Sequence, residues 1–141
     1  MISKELKGLI IWLKKQGKMK FLEAVPESKL IFFEAENNLK LPQKYKEFLH
    51  YSDGCDLFIP AGVQLYGVAH EPIIDKNDND RPNENFIVIG ALSTGDPIVF
   101  EKSKEQISIY NHEAGRIEDD ETFSDFFDFL KNLPELIGIG E

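Results

Sequence analysis

The spacing of apolar residues changes once along the chain, and that change limits the possible folds more than any other feature. Before about residue 54 they recur at helical intervals; from residue 56 they stand in short runs broken by Gly, Pro, Asn and Asp. The runs are Leu57 to Ile59, Val63 to Val68, Phe86 to Leu92, Pro97 to Phe100 and Ile107 to Tyr110. Connections between the later runs are too short for helical crossovers, which predicts a largely antiparallel sheet.

The flanking segments carry helix signals. Ser3 can cap a helix with the stripe Leu6, Leu9, Ile10 and Leu13, with Glu5 in its first turn, Lys14 and Lys15 in its last, and Gly17 as a stop. Packing against a core accounts for this stripe without a membrane-surface role. A second helix is expected from Pro26, placed in its first turn, through Leu30, Ile31, Phe33 and Glu34 to a left-handed stop at Asn37 and Asn38. Pro42 opens a third through Tyr45, Phe48 and Leu49, closed by an Asp53-Gly54 turn. Thr122 caps the last, with Asp125 three residues on and a stripe of Phe123, Phe126, Phe127, Leu130 and Leu133 before Pro134 stops it. The expected fold is therefore α+β, a mostly antiparallel central sheet flanked by N-terminal helices and a C-terminal helix, in a single domain over residues 1–141. A chain of this length buries roughly two-thirds of its unfolded surface and needs no staple.

Cys55 is the only cysteine, which excludes an intramolecular disulfide and a zinc site of paired cysteines and fits a reducing compartment. Leu9 to Leu13 is too short for a signal-peptide core, and no apolar run approaches the roughly 20 residues that span a bilayer. The expectation is a cytoplasmic protein with no membrane partner.

Charge narrows the partners further. Residues 1–20 hold six Lys and one Glu, net +5, whereas residues 21–141 hold ten basic and twenty-four acidic groups, net -14. Nucleic-acid binding draws its affinity from cations on phosphates, so an anionic body argues against direct nucleic-acid contact. A basic protein partner would instead be steered toward it.

Chemistry-bearing patterns are incomplete. His50, His70 and His112 lie apart with no second ligand at zinc spacing, and no nucleophile signature surrounds Cys55, which reads as a buried thiol. Asp75, Asn77 and Asn79 begin like a calcium loop, but Asp80 stands where the turn needs Gly and Phe86 where a carboxylate is required. Gly95, Gly138 and Gly140 form no phosphate loop. The reading is no enzyme: no catalytic residue, no cofactor and no metal ligand. A small carboxylate-dependent hydrolase remains the alternative, and it requires one pocket holding two carboxyls of separated pKa.

The segment from Ile31 to Gly54 resembles the SUKH superfamily, whose founding members are the Smi and Knr cell-wall-assembly regulators of fungi. It shows the hallmark Glu34, Leu41-Pro42, Tyr45, Phe48-Leu49 and Asp53-Gly54, with later landmarks at Gly90, Gly95-Asp96, Ile109-Tyr110, His112-Glu113 and Phe123 to Leu130. Asn38 and Cys55 replace frequent glycines. The resemblance implies a bacterial immunity protein that binds and neutralises a polymorphic or contact-dependent toxin, many of which are basic nucleases, or else a regulatory scaffold for a cell-wall or signalling protein. On the immunity reading the contact residues are Asp75, Asp78, Asp80 and Glu84 with Glu118, Asp119, Asp120 and Glu121; the same runs equally suit solvated faces.

Overall fold

Ser3 opens the first helix through its own side chain. In the computed structural model, which describes residues 2–60 and 62–138, its hydroxyl accepts from the Leu6 N–H at 3.2 Å. Helix α1 (Lys4–Gln16) buries Leu6, Leu9, Ile10 and Leu13 and ends at Gly17, as its pattern requires. Helix α2 (Glu27–Asn37) follows, with Pro26 one position outside it as the cap rather than inside the first turn. Asn38 closes it in the left-handed conformation, φ 49° and ψ 54°, where a short polar side chain is tolerated. Helix α3 (Gln43–Leu49) turns Tyr45, Phe48 and Leu49 into the core.

Seven strands form one sheet in chain order, every neighbouring pair antiparallel: β1 (Lys18–Phe21), β2 (Cys55–Ile59), β3 (Val63–Leu65), β4 (Phe86–Ala91), β5 (Pro97–Glu101), β6 (Ile107–Asn111) and β7 (Arg116–Phe123). β2 to β3 and β4 through β7 reverse through short connections, whereas α2 and α3 lie between β1 and β2 and a long loop lies between β3 and β4. Helix α4 (Phe126–Leu136) completes the α+β domain. Its Phe126 and Phe129 pack with Tyr45, Phe48 and Phe123 at ring separations of 4.7 to 5.8 Å. This aromatic layer joins the helices to the sheet, and such pairs stabilise by about 0.5–1.5 kcal/mol each beyond their burial.

Several boundaries differ from the sequence reading. Neither β1 nor β7 is among the expected strands. Lys18 to Phe21 takes its extended form from pairing with β2 along the sheet edge, and β7 from its ladder with β6. Thr122 and Phe123 belong to β7, not to the last helix: Thr122 Oγ1 lies 3.1 Å from Ser108 Oγ across the ladder, and Phe123 stands opposite Ile107. The cap is Asp125, whose carboxylate accepts from the Asp128 N–H at 2.8 Å. Pro134 lies within α4, two residues before its end. There it forgoes one i→i−4 bond, to the Leu130 carbonyl, while its buried ring adds to the core. The second run, Val63 to Val68, also stops early, at Leu65, and Tyr66 to Val68 lie outside the strand.

Candidate protein-binding surface

The hallmark residues of the Ile31–Gly54 segment turn out to hold the architecture. The Glu34 carboxylate accepts from the Leu41 N–H at 2.7 Å and pairs with Lys46 Nζ at 3.3 Å, tying the end of α2 to the Leu-Pro turn and α3. That bond explains the seven-residue spacing. Tyr45 is fully buried and its hydroxyl donates to the Tyr66 carbonyl, and burial pushes its pKa well above the ordinary range.

Asp53 does more than close a turn. Its side chain has no solvent exposure, and its carboxylate accepts from the backbone N–H groups of Val68 (2.7 Å), Ala69 (2.8 Å) and His70 (2.8 Å), with His70 Nδ1 at 3.0 Å. A buried carboxylate needs such donors to offset desolvation. The donors lie fifteen to seventeen residues away in sequence, so the acid pins the 68–70 segment against the end of β2. Two glycines permit the approach. Gly54 has φ +88°, and a Cβ on Gly67 would stand 2.5 Å from the Asp53 carbonyl oxygen and 2.6 Å from Oδ1.

The pinned segment leads into the acidic loop. Gly67 donates to the Pro72 carbonyl and receives the Ile74 N–H, at 3.0 and 2.9 Å. Lys76 Nζ reaches the Asn37 carbonyl at 3.3 Å, and Arg81 donates to the carbonyls of Lys76 and Phe86. Both cations of this stretch thus serve backbone carbonyls. Asp75 and Asp78 each accept a local backbone N–H, from Asn77 and Asp80 at 2.9 Å. Among the described residues Asp75, Asp78, Asp80 and Glu84 take part in no ion pair.

Glu118, Asp119, Asp120 and Glu121 lie elsewhere, on edge strand β7. Between the pairs Tyr110–Ile117 and Ser108–Thr122 these four residues oppose Ile109 alone, so the strand bulges where it is most acidic. Arg116 Nε reaches Glu118 at 3.2 Å. Burial and the neighbouring carboxylates of Asp120, Asp96 and Glu118 raise the pKa of Glu121. Two strands, β5 and β6, separate β7 from β4, where the acidic loop re-enters the sheet. At about 4.8 Å per strand that is roughly 14 Å within the sheet.

An apolar feature adjoins the first acidic run and not the second. Helix α2 carries Leu30, Ile31, Phe32 and Phe33 in succession, so apolar groups lie on both its faces. Leu30 and Phe33 enter the core, while Ile31 and Phe32 stay 57% and 65% exposed. Phe32, Phe33, Val68, Ala69 and Ile73 line a groove of about 480 Å³ with Ser28, Lys29 and Glu36 at its rim. The sequence signal was the four-residue apolar run, one stripe too many for a helix with one buried face.

The other histidines and Cys55 sit in structural surroundings. His50 bridges the Val25 carbonyl and Glu27 (3.2 and 2.8 Å), and His112 pairs with Asp96. Cys55 is buried, which pushes its thiol pKa far up and away from nucleophilic use. Glu121 and Asp125 are displaced in opposite directions, Asp125 downward despite burial because Asp128 N–H and Lys44 hold it charged. They do not share a cavity: Glu121 lines a depression with Asp120, Phe123 and Glu135, whereas Asp125 caps α4. The acid–base pair a hydrolase would need is not assembled by these two. Among the described residues no three His, Cys, Asp or Glu side chains are grouped to hold a metal ion, and no helix is long and apolar enough to cross a membrane. Gly140 lies outside the described residues.

Comparison with known families gives one match, to the model described as SMI1 / KNR4 family (SUKH-1), over residues 24–132. No curated protein matches the chain.

Proposed function

The chain belongs to the SMI1 / KNR4 family (SUKH-1), and from that premise we propose that it is a non-catalytic immunity protein that neutralises a basic, nuclease-type toxin by direct binding. The observation that carries this reading is the net charge of -14 over residues 21–141. A nuclease surface is built to attract polyphosphate, so it presents Lys and Arg around its site. An anionic domain approaching it gains the same long-range attraction as the substrate and, once seated, excludes that substrate. The carboxylates on offer are Asp75, Asp78, Asp80 and Glu84 on the loop and Glu118, Asp119, Asp120 and Glu121 on β7. The first four lack ion-pair partners among the described residues.

Co-expression tests the proposal. Where the gene immediately upstream encodes a nuclease-type toxin domain, cells producing that domain should survive when the chain is present, and the two should co-purify; an upstream gene of another kind would count against the reading. Survival without complex formation would refute neutralisation by binding. Charge reversal at Asp119 and Asp120 to Lys should slow association; unchanged kinetics at low salt would remove β7 from the contact.

A further inference from the structure

The apolar groove beside α2 brings exposed Phe32 and Ile73 together with Glu36, a carboxylate without an ion-pair partner among the described residues. Monomeric proteins rarely leave large apolar side chains adjacent on a surface without use. Here Phe32 is 65% and Ile73 43% exposed, and Phe33, Val68 and Ala69 line the same groove. Both walls are tied to the body of the domain. One is α2, anchored through Leu30 and Phe33. The other is the 68–73 segment, held at residues 68–70 by the four contacts to Asp53 and at Pro72 by the Gly67 N–H.

We infer that this groove is the docking site for a basic protein partner, which seats one apolar side chain against Phe32 and Ile73 while Lys or Arg beside that anchor meets Glu36, Asp75 and Asp78. The inference rests on the binding function proposed above and names its surface. Charge selects the occupant. On the rim Lys29 and Glu36 offset each other, so the sign is set by the loop, which continues from Ile73 into Asp75, Asp78 and Asp80. Its own cations, Lys76 and Arg81, are committed to backbone carbonyls. Burial, and after it the charges of Asp78 and Asp80, raise the pKa of Tyr66, which places the two carboxylates near Val68. A second copy of the chain would bring Glu36 and the loop against their own symmetry mates in a protein of net charge -9. The exposure of both walls marks an open groove, unlike the enclosed pockets that bury small ligands. A buried apolar anchor within a polar rim is the arrangement that concentrates binding energy at protein interfaces.

The test uses the whole chain as bait for a phage-displayed library of random 16-residue peptides. The expected consensus is an aromatic or branched aliphatic residue flanked by Lys or Arg. A synthetic peptide of that consensus should bind at least tenfold more weakly to Phe32→Ser and to Ile73→Ser. It should bind equally to Ile11→Ser, which alters an exposed apolar residue on α1. Both groove positions are exposed, so these variants should fold, as circular dichroism would verify. An acidic or anchor-free consensus, no enrichment over bare support, or binding that survives both substitutions would overturn the assignment. So would a dimer of the free protein that Phe32→Ser dissociates. The selection needs no toxin: peptide capture without toxin rescue would sink the immunity reading alone, and full rescue by the Phe32→Ser, Ile73→Ser double variant would sink the groove alone.

Discussion

Replacing Asp53 with Ala should destabilise the protein more than any other single change to a turn residue and should loosen the groove with it. The carboxylate is fully buried and accepts three backbone N–H bonds of 2.7 to 2.8 Å together with the His70 ring contact. Hydrogen bonds to a charged group contribute about 1.5–3 kcal/mol each, and three at the lower end sum to about 4.5 kcal/mol. Ala69 is exposed and Val68 and His70 only half-buried, so water recovers part of this. The expected loss is about 3–4 kcal/mol, which sits in the tail of single-substitution effects. A domain of this size has a stability of about 7–20 kcal/mol at 0.05–0.15 kcal/mol per residue, so the variant should still fold. Its thermal midpoint should fall by about 10–15 °C. Asp53→Asn preserves volume but not function: with one oxygen, its amide nitrogen must face at least one of the N–H donors, and about 2–3 kcal/mol should be lost. Urea unfolding followed by far-UV circular dichroism measures the loss, and amide hydrogen exchange at residues 68–70 locates it. A loss below about 1 kcal/mol in Asp53→Ala, or exchange at 68–70 no faster than in the parent, would refute the clamp.

Three further outcomes are expected. Glu121→Gln should raise stability at neutral pH. The Glu121 pKa is raised in the folded chain, so its charged form opposes folding as pH climbs from the ordinary carboxylate range through the raised value. The advantage of Gln should therefore shrink on acidification below about pH 4, and an advantage independent of pH would contradict a Glu121 pKa raised by burial and by its acidic neighbours. Gly67→Ala places a Cβ 2.5 Å from the Asp53 carbonyl oxygen and should cost about 1–3 kcal/mol in denaturant unfolding, with 68–70 exchanging faster. Glu34→Ala strands the Leu41 N–H and should cost about 1–3 kcal/mol; an unchanged midpoint would mean that water replaces the carboxylate.

The family resemblance was legible because its hallmark residues have local jobs that leave a spacing in the chain. Glu34 reaches Leu41 seven residues on, Asn38 takes the left-handed stop, and Gly54 completes a turn at φ +88°. The candidate contact residues were legible only as charge. That the groove wall at Ile73 leads into Asp75 while Glu118 to Glu121 bulges from a sheet edge depends on the folded chain, which no local pattern records. Acidic bulged edges also resist pairing with other sheets, so the two runs need not share a purpose.

The sequence by itself determined the three N-terminal helices, the five inner strands and their antiparallel sense. Caps, stripes and short connections act over a few residues and are written in order along the chain. Tertiary structure alone decided the edges and the inside of Asp53. RIEDDETF has little intrinsic strand preference and becomes β7 because β6 supplies a ladder; KMKF becomes β1 because β2 does. Asp53 reads as a turn residue until donors fifteen to seventeen positions later fold back onto it. The run from Leu30 to Phe33 reads as apolar on every face until packing buries two of its residues and leaves Ile31 and Phe32 in water. Hydrogen-bond donors and covering surface come from distant segments, so only the folded chain assigns them.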